Sequence, residues 1–85
     1  NFVVYGGMKM FEELFKNFIN DGIMVKTDRY WVSLGGRGND IYKVKRGYKG
    51  ALKEVIKELG FKVSRDKDYK VDVILYKDMF IGCIE

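Results

Sequence analysis

The stretch Tyr48-Lys49-Gly50-Ala51-Leu52-Lys53-Glu54-Val55-Ile56-Lys57-Glu58-Leu59-Gly60 has the clearest periodicity in the chain. Tyr48, Ala51, Leu52, Val55, Ile56 and Leu59 form one apolar stripe at helical spacing, and Lys49, Lys53, Glu54, Lys57 and Glu58 take the other face. Gly60 supplies a left-handed stop. A helix with a single apolar stripe needs a surface to cover, and the flanking segments supply strands. Phe61–Ser64, Tyr69–Tyr76 and Met79–Ile84 follow it, separated by the polar turns Arg65-Asp66-Lys67-Asp68 and Lys77-Asp78.

Upstream, Phe11, Leu14, Phe15, Phe18 and Ile19 repeat the same spacing and Gly22 repeats the stop. Ile23–Thr27 reads as a strand, Asp28-Arg29 as a turn or bulge, and Tyr30–Leu34 as a second strand. The flexible Gly35-Gly36-Arg37-Gly38-Asn39 then folds the strand Asp40–Arg46 back as a hairpin. Gly22-Ile23-Met24-Val25 also matches Gly60-Phe61-Lys62-Val63, each followed by a charged turn and a tyrosine-led strand. The expected fold class is α+β: two amphipathic helices on one face of an antiparallel sheet, as an internal αβββ-αβββ duplication with pseudo-twofold symmetry. Phe11, Leu14, Phe15, Phe18, Leu52, Val55, Ile56 and Leu59 are the expected core.

Eighty-five residues suffice for one core, so residues 1–85 are read as one domain. Because the chain opens on Asn1, residues 1–7 are read as a foreign remnant or an edge strand. Apolar residues at 47% argue against disorder, and Lys plus Arg exceed Asp plus Glu by 16 to 12, a mild basic excess that suits an anionic partner. One cysteine, Cys83, permits no internal disulfide, and no apolar run approaches a membrane span of about 20 residues. A soluble, cytoplasmic protein with no membrane partner is the expectation, and a homo-oligomer paired through edge strands is compatible with it.

The absence of histidine removes the commonest general base and metal ligand, so no metal, cofactor or enzymatic role is expected. Cys83 lies in an apolar strand and reads as structural. Asp66, Asp68, Asp72 and Asp78 read as solvated turn residues, because Asp66-Lys67-Asp68 lacks the remaining ligands of a calcium loop. The glycine-rich Gly35–Asn39 joins two strands, whereas phosphate loops open a helix, so it reads as a hairpin tip with Arg37 at its centre.

What stands out is a basic and aromatic group: Arg29, Trp31, Arg37, Lys43, Lys45 and Arg46. If Tyr30, Val32 and Leu34 face the helices, alternation turns Trp31 and Ser33 outward. On the next strand it turns Tyr42 and Val44 inward and exposes Lys43, Lys45 and, less comfortably, Ile41. A tryptophan beside lysines on an open sheet face resembles a platform that stacks bases and attracts phosphates; the alternative packs Trp31 against the far side of a curled sheet. The expected function is therefore a non-enzymatic module whose partner is nucleic acid bound through these residues. The runner-up is a protein-binding adaptor or inhibitor, for example a phage- or plasmid-encoded inhibitor of a host system, using the same face.

Overall fold

The computed structural model describes residues 7–32 and 38–85. The expected edge strand within residues 1–7 falls outside the described residues except for Gly7, which begins a helix. The elements are α1 (Gly7–Leu14), α2 (Lys16–Asn20), β1 (Met24–Val32), β2 (Gly38–Val44), α3 (Lys49–Glu58), β3 (Lys62–Asp66), β4 (Val71–Tyr76) and β5 (Met79–Ile84). The fold is α+β, with five strands in one sheet and three helices. None of the described helices is long and apolar enough to cross a membrane.

Both main helical stripes end as their glycines dictate. Gly22 and Gly60 have φ of 76° and 92°, and the amide that follows each reaches back over the last turn, Ile23 to the Phe18 carbonyl (2.8 Å) and Phe61 to that of Ile56 (3.1 Å). This paired closure satisfies carbonyls that a helix end leaves open. The first stripe is interrupted at Phe15, whose φ of −109° and ψ of 17° lie outside the helical region. Its amide still bonds the Phe11 carbonyl and its carbonyl accepts from Ile19, so two short helices replace the single one expected and the apolar side stays continuous.

The strand order is β1-β2-β5-β4-β3. β1/β2, β5/β4 and β4/β3 are antiparallel, but β2 and β5 run parallel through Ile41↔Cys83 and Tyr42↔Ile84. The sheet is thus mixed, not antiparallel as expected. The reason is the route of the chain: α3 carries it from β2 in the middle to β3 at the far edge, and the meander β3-β4-β5 returns to the middle in the same direction as β2. The αβββ-αβββ scheme differs too, because among the described residues the first half shows two strands and the second three. Ile23–Thr27 and Tyr30–Leu34 do not separate; residues 24–32 are one strand in which Thr27, Asp28 and Arg29 stand opposite Ile41 alone. Two surplus residues leave the alternation in phase on either side of this bulge.

One apolar cluster unites Met10, Phe11 and Phe15 of α1 and its continuation, Leu52 and Ile56 of α3, and Met24, Tyr42, Val44, Ile74, Ile81 and Ile84 of the sheet. Of the expected core, Phe11, Phe15, Leu52 and Ile56 are buried and Leu14 and Phe18 pack partly, whereas Val55 and Leu59 are exposed. Those two lie on the stripe but beyond the reach of the sheet. Tyr30 and Val32 are likewise exposed, at 63% and 50%, because the described helices do not extend over that end of β1.

A second cluster joins Ile41, Val71, Val73 and Cys83, with Trp31, Tyr69, Leu75 and Phe80 packed against it. Ile41 is completely buried there, which corrects its expected exposure. The indole Nε1 of Trp31, on the edge strand β1, donates to Asp66 Oδ2 at the end of the opposite edge strand β3, at 2.8 Å. In a flat sheet, four strand spacings would separate those edges by about 19 Å, far more than the two side chains span. The sheet therefore curls, and the second cluster lies inside the curl.

Substituting Leu52 with Ala should remove roughly 2–5 kcal/mol of stability, measured by chemical denaturation. Gly82→Ala should destabilise as well, by roughly 1–3 kcal/mol, because the new Cβ would lie 2.4 Å from Cδ2 of the fully buried Phe11. A Gly82→Ala protein as stable as the parent would disprove the close packing of α1 on β5.

Candidate nucleic-acid interface

The bulge and the curl decide what becomes of the basic and aromatic group. Trp31 does face away from the first cluster, but it is not free: its ring stacks on Phe80 (centroids 5.0 Å apart, planes at 6°) and meets Tyr69 edge-on at 6.5 Å. With its N–H committed to Asp66, it packs partly buried against the second cluster. Arg29, projected from the bulge, reaches Glu85 Oε2 at 2.6 Å and the Tyr69 carbonyl at 2.5 Å, so it ties β1 to the end of β5 and to the β3–β4 turn. Arg37 lies outside the described residues. Lys43, Lys45 and Arg46 are exposed, and Lys45 Nζ lies 5.9 Å from the centre of the Tyr48 ring. Of the six residues singled out, these last three are exposed without a described ion pair.

The topology then adds cations that the linear sequence keeps apart. Lys26, Tyr42, Ile84, Asp72 and Arg65 follow one another across the five strands in a single transverse row. Past that row, at the same end of the sheet, emerge the connection from β2 to α3, with Lys45, Arg46 and Lys49, and the β3–β4 turn, with Lys67 and Lys70. Lys53 belongs to this end too, one turn into α3. Seven cations (Lys45, Arg46, Lys49, Lys53, Arg65, Lys67 and Lys70) share it with five carboxylates, Asp21, Asp66, Asp68, Asp72 and Glu85.

Three of those carboxylates are already engaged, Glu85 by Arg29. Asp66 accepts from the amides of Asp68 and Tyr69 as well as from Trp31, and the Tyr69 amide, followed by the indole, holds its pKa below the usual carboxylate range. Asp72 is only 2% exposed, which corrects its reading as a solvated turn residue. Lys53 Nζ lies 3.1 Å and Lys49 Nζ 3.2 Å from its Oδ2, and Arg65 Nη1 lies 3.5 Å from Oδ1. Oδ2 makes no well-aligned hydrogen bond, although both ammonium groups lie within hydrogen-bonding distance of it. Burial works to raise the Asp72 pKa, but Lys53 and Lys49 outweigh it and hold the carboxyl low.

Lys49, Lys53, Arg65, Lys67, Lys70 and Asp72 lie outside the six residues that sequence reasoning singled out. A signal existed: in Val71-Asp72-Val73-Ile74-Leu75 the aspartate interrupts an apolar run, and a charge in such a run is buried and needs partners. Lys49 and Lys53, four apart on α3, are those partners.

Elsewhere the polar chemistry is of a different kind. Lys26 pairs with Asp40 at 2.8 Å and with Glu12 at 3.6 Å, and the Tyr42 hydroxyl donates to Glu12 at 2.9 Å. Burial and that carboxylate push Tyr42 up to about 12. These groups border a cleft of about 470 Å³ between the first helices and β1, floored by Met24. The charges there are matched, in contrast to the cationic excess at the sheet end. Burial pushes the Cys83 thiol up to about 12, so it is a poor nucleophile. Among the described residues no group of three or more Cys, Asp or Glu is placed to hold a metal ion. No family model, no curated protein and no solved structure matches the chain.

Trp31→Ala should lower stability by roughly 3–5 kcal/mol, because it removes a stacked ring and leaves Asp66 without its indole partner. A variant that keeps the parent's melting temperature would contradict the packed placement. The low Asp72 and Asp66 pKa values fix the sign of the acid response. Their stabilisation is fully present above the unfolded carboxylate value of 3.8 and is lost as pH falls through the lower folded values. Acid titration of stability should show this loss below about pH 4, and Asp72→Asn should make that limb shallower.

Proposed function

We propose that this chain is a nucleic-acid-binding module that grips the phosphate backbone with the cationic end of its sheet. The observation that carries the reading is the convergence of Lys45, Arg46, Lys49, Lys53, Arg65, Lys67 and Lys70 from two separate stretches of chain onto one end of the fold. Three of the five carboxylates there are spent on internal contacts. A concentration of like charge opposes folding, so a surface of this kind implies an anionic partner. The reading takes α1 and α3 to share one side of the sheet, since both supply the first cluster, which leaves the sheet end clear.

This changes the mode of recognition from the one Trp31 alone suggested. With Trp31 partly buried, the attraction is to phosphates and not to base faces, so it is largely indifferent to sequence. Tyr48, half-exposed at the start of α3, is an aromatic ring beside the cations that a nucleotide can reach.

Fluorescence anisotropy of a labelled mixed-sequence duplex, titrated with the protein at several salt concentrations, tests the reading. Affinity should fall steeply with salt, and Lys45→Ala with Arg46→Ala should flatten the logarithmic slope by about one to two units. Competition with unlabelled single strands should show little preference between the two forms. Absence of salt-sensitive binding to either would overturn the proposal and leave an acidic protein surface as the partner to seek.

A further inference from the structure

Within the proposed interface one group differs from the rest. Lys45, Arg46, Lys67 and Lys70 are exposed side chains with no common anchor, whereas Lys49, Lys53 and Arg65 converge on a single buried carboxylate, Asp72. Three cations around one carboxylate leave a local excess of two positive charges, two of the cations carried by α3 and one by β3, the strand next to β4. Each of the three remains partly open to solvent, with side-chain exposures of 38%, 32% and 47%. Long basic side chains normally lose considerable rotamer freedom when they bind an anion. Here that ordering is done in advance by Asp72, which is itself positioned by its strand pairing to Arg65 and Ile84.

We infer that Lys49, Lys53 and Arg65 form the principal phosphate seat of this interface, and that Asp72 is a positioning residue that holds the three cations in place for it. The inference rests on the nucleic-acid reading above and adds to it a site and a division of labour. The remaining cations contribute long-range attraction, while the Asp72-centred group sets where the backbone lies. The charge of Asp72 opposes an incoming phosphate, so its placement is useful only if the order it imposes outweighs that repulsion.

The two effects have opposite signs, which makes the inference testable with the same labelled duplex. If Asp72 acted through its charge alone, Asp72→Asn would tighten binding and steepen the salt slope by about one unit. If it positions the cations, Asp72→Asn should weaken binding about tenfold, the loss of roughly one well-formed charge-assisted contact, and Asp72→Glu should recover part of it. Tighter binding by Asp72→Asn overturns the inference.

Because Asp72→Asn alters a buried site, a second comparison avoids that risk. Lys53→Gln and Lys57→Gln remove the same charge from the same helix, yet only the first touches the Asp72 group. Lys53→Gln should weaken binding several-fold more than Lys57→Gln, with melting temperatures recorded for both. Equal effects overturn the phosphate seat while leaving the nucleic-acid reading intact, whereas loss of binding by the parent fells both. Repeating the titration in EDTA and in Mg2+ closes the remaining route. A gain of affinity with Mg2+ that vanishes in Asp72→Asn would show the carboxylate acting on a cation instead of on its lysines, and would overturn the positioning role.

Discussion

The parallel pairing of β2 with β5 is the constraint on which the molecule depends. It consists of little: Ile41 beside Cys83, Tyr42 beside Ile84, and two backbone bonds at the end of the chain, from the Glu85 amide to the Tyr42 carbonyl at 2.7 Å and from the Val44 amide to the Glu85 carbonyl at 3.4 Å. Yet it is the only place where the β1–β2 hairpin and the β3–β4–β5 meander become one sheet. The four paired residues are all nearly or completely buried, so the seam is held by apolar packing on both faces as much as by its hydrogen bonds. Partners this distant in sequence must be found late and against chain entropy, which makes the seam the slow step expected in folding.

From that seam follows the distribution of charge. Because β5 runs parallel to β2 and α3 crosses between them, the end of β2, the start of α3 and the β3–β4 turn all emerge at one end of the sheet. Had β5 paired antiparallel to β2, the turn bearing Lys67 and Lys70 would have emerged at the other end, away from Lys45 and Arg46. The same seam places Ile84 between Tyr42 and Asp72, and so puts Asp72 within reach of α3. A buried carboxylate with three cations is not a source of net stability by default, since desolvation offsets most of the attraction. Its value lies in specifying one arrangement of α3 over β4.

What was legible in the sequence was whatever depends on neighbours along the chain. The stripe of α3, the glycine stops at Gly22 and Gly60, the exact extent of Met79–Ile84, and the inward turn of Tyr42 and Val44 all follow from local periodicity. The β4–β5 hairpin was legible as the polar pair Lys77-Asp78, which adopts φ of 49° and 64° as a tight hairpin turn requires. The parallel seam was not, because no local pattern distinguishes a strand that pairs with its neighbour in sequence from one that pairs across a helix. The repeat Gly-Ile-Met-Val and Gly-Phe-Lys-Val reflects two like helix stops, each leading into a strand, and among the described residues the strand count ends the likeness there.

The fate of Trp31 shows why the candidate site was the harder part. Alternation correctly turned its side chain away from the first cluster, but alternation carries no information about whether that side of a sheet is open. Openness depends on curl, and here the anchor at Asp66 brings the edges together beside Trp31, so a residue expected on an open face is partly buried against the second cluster. The converse holds for Asp72. Four aspartates near one another in sequence looked alike as turn residues, and only strand pairing separated the buried Asp72 from the exposed Asp68 and Asp78. Exposure, more than identity, decides which residues of a basic and aromatic sequence meet a partner, and exposure is a property of the sheet as a whole.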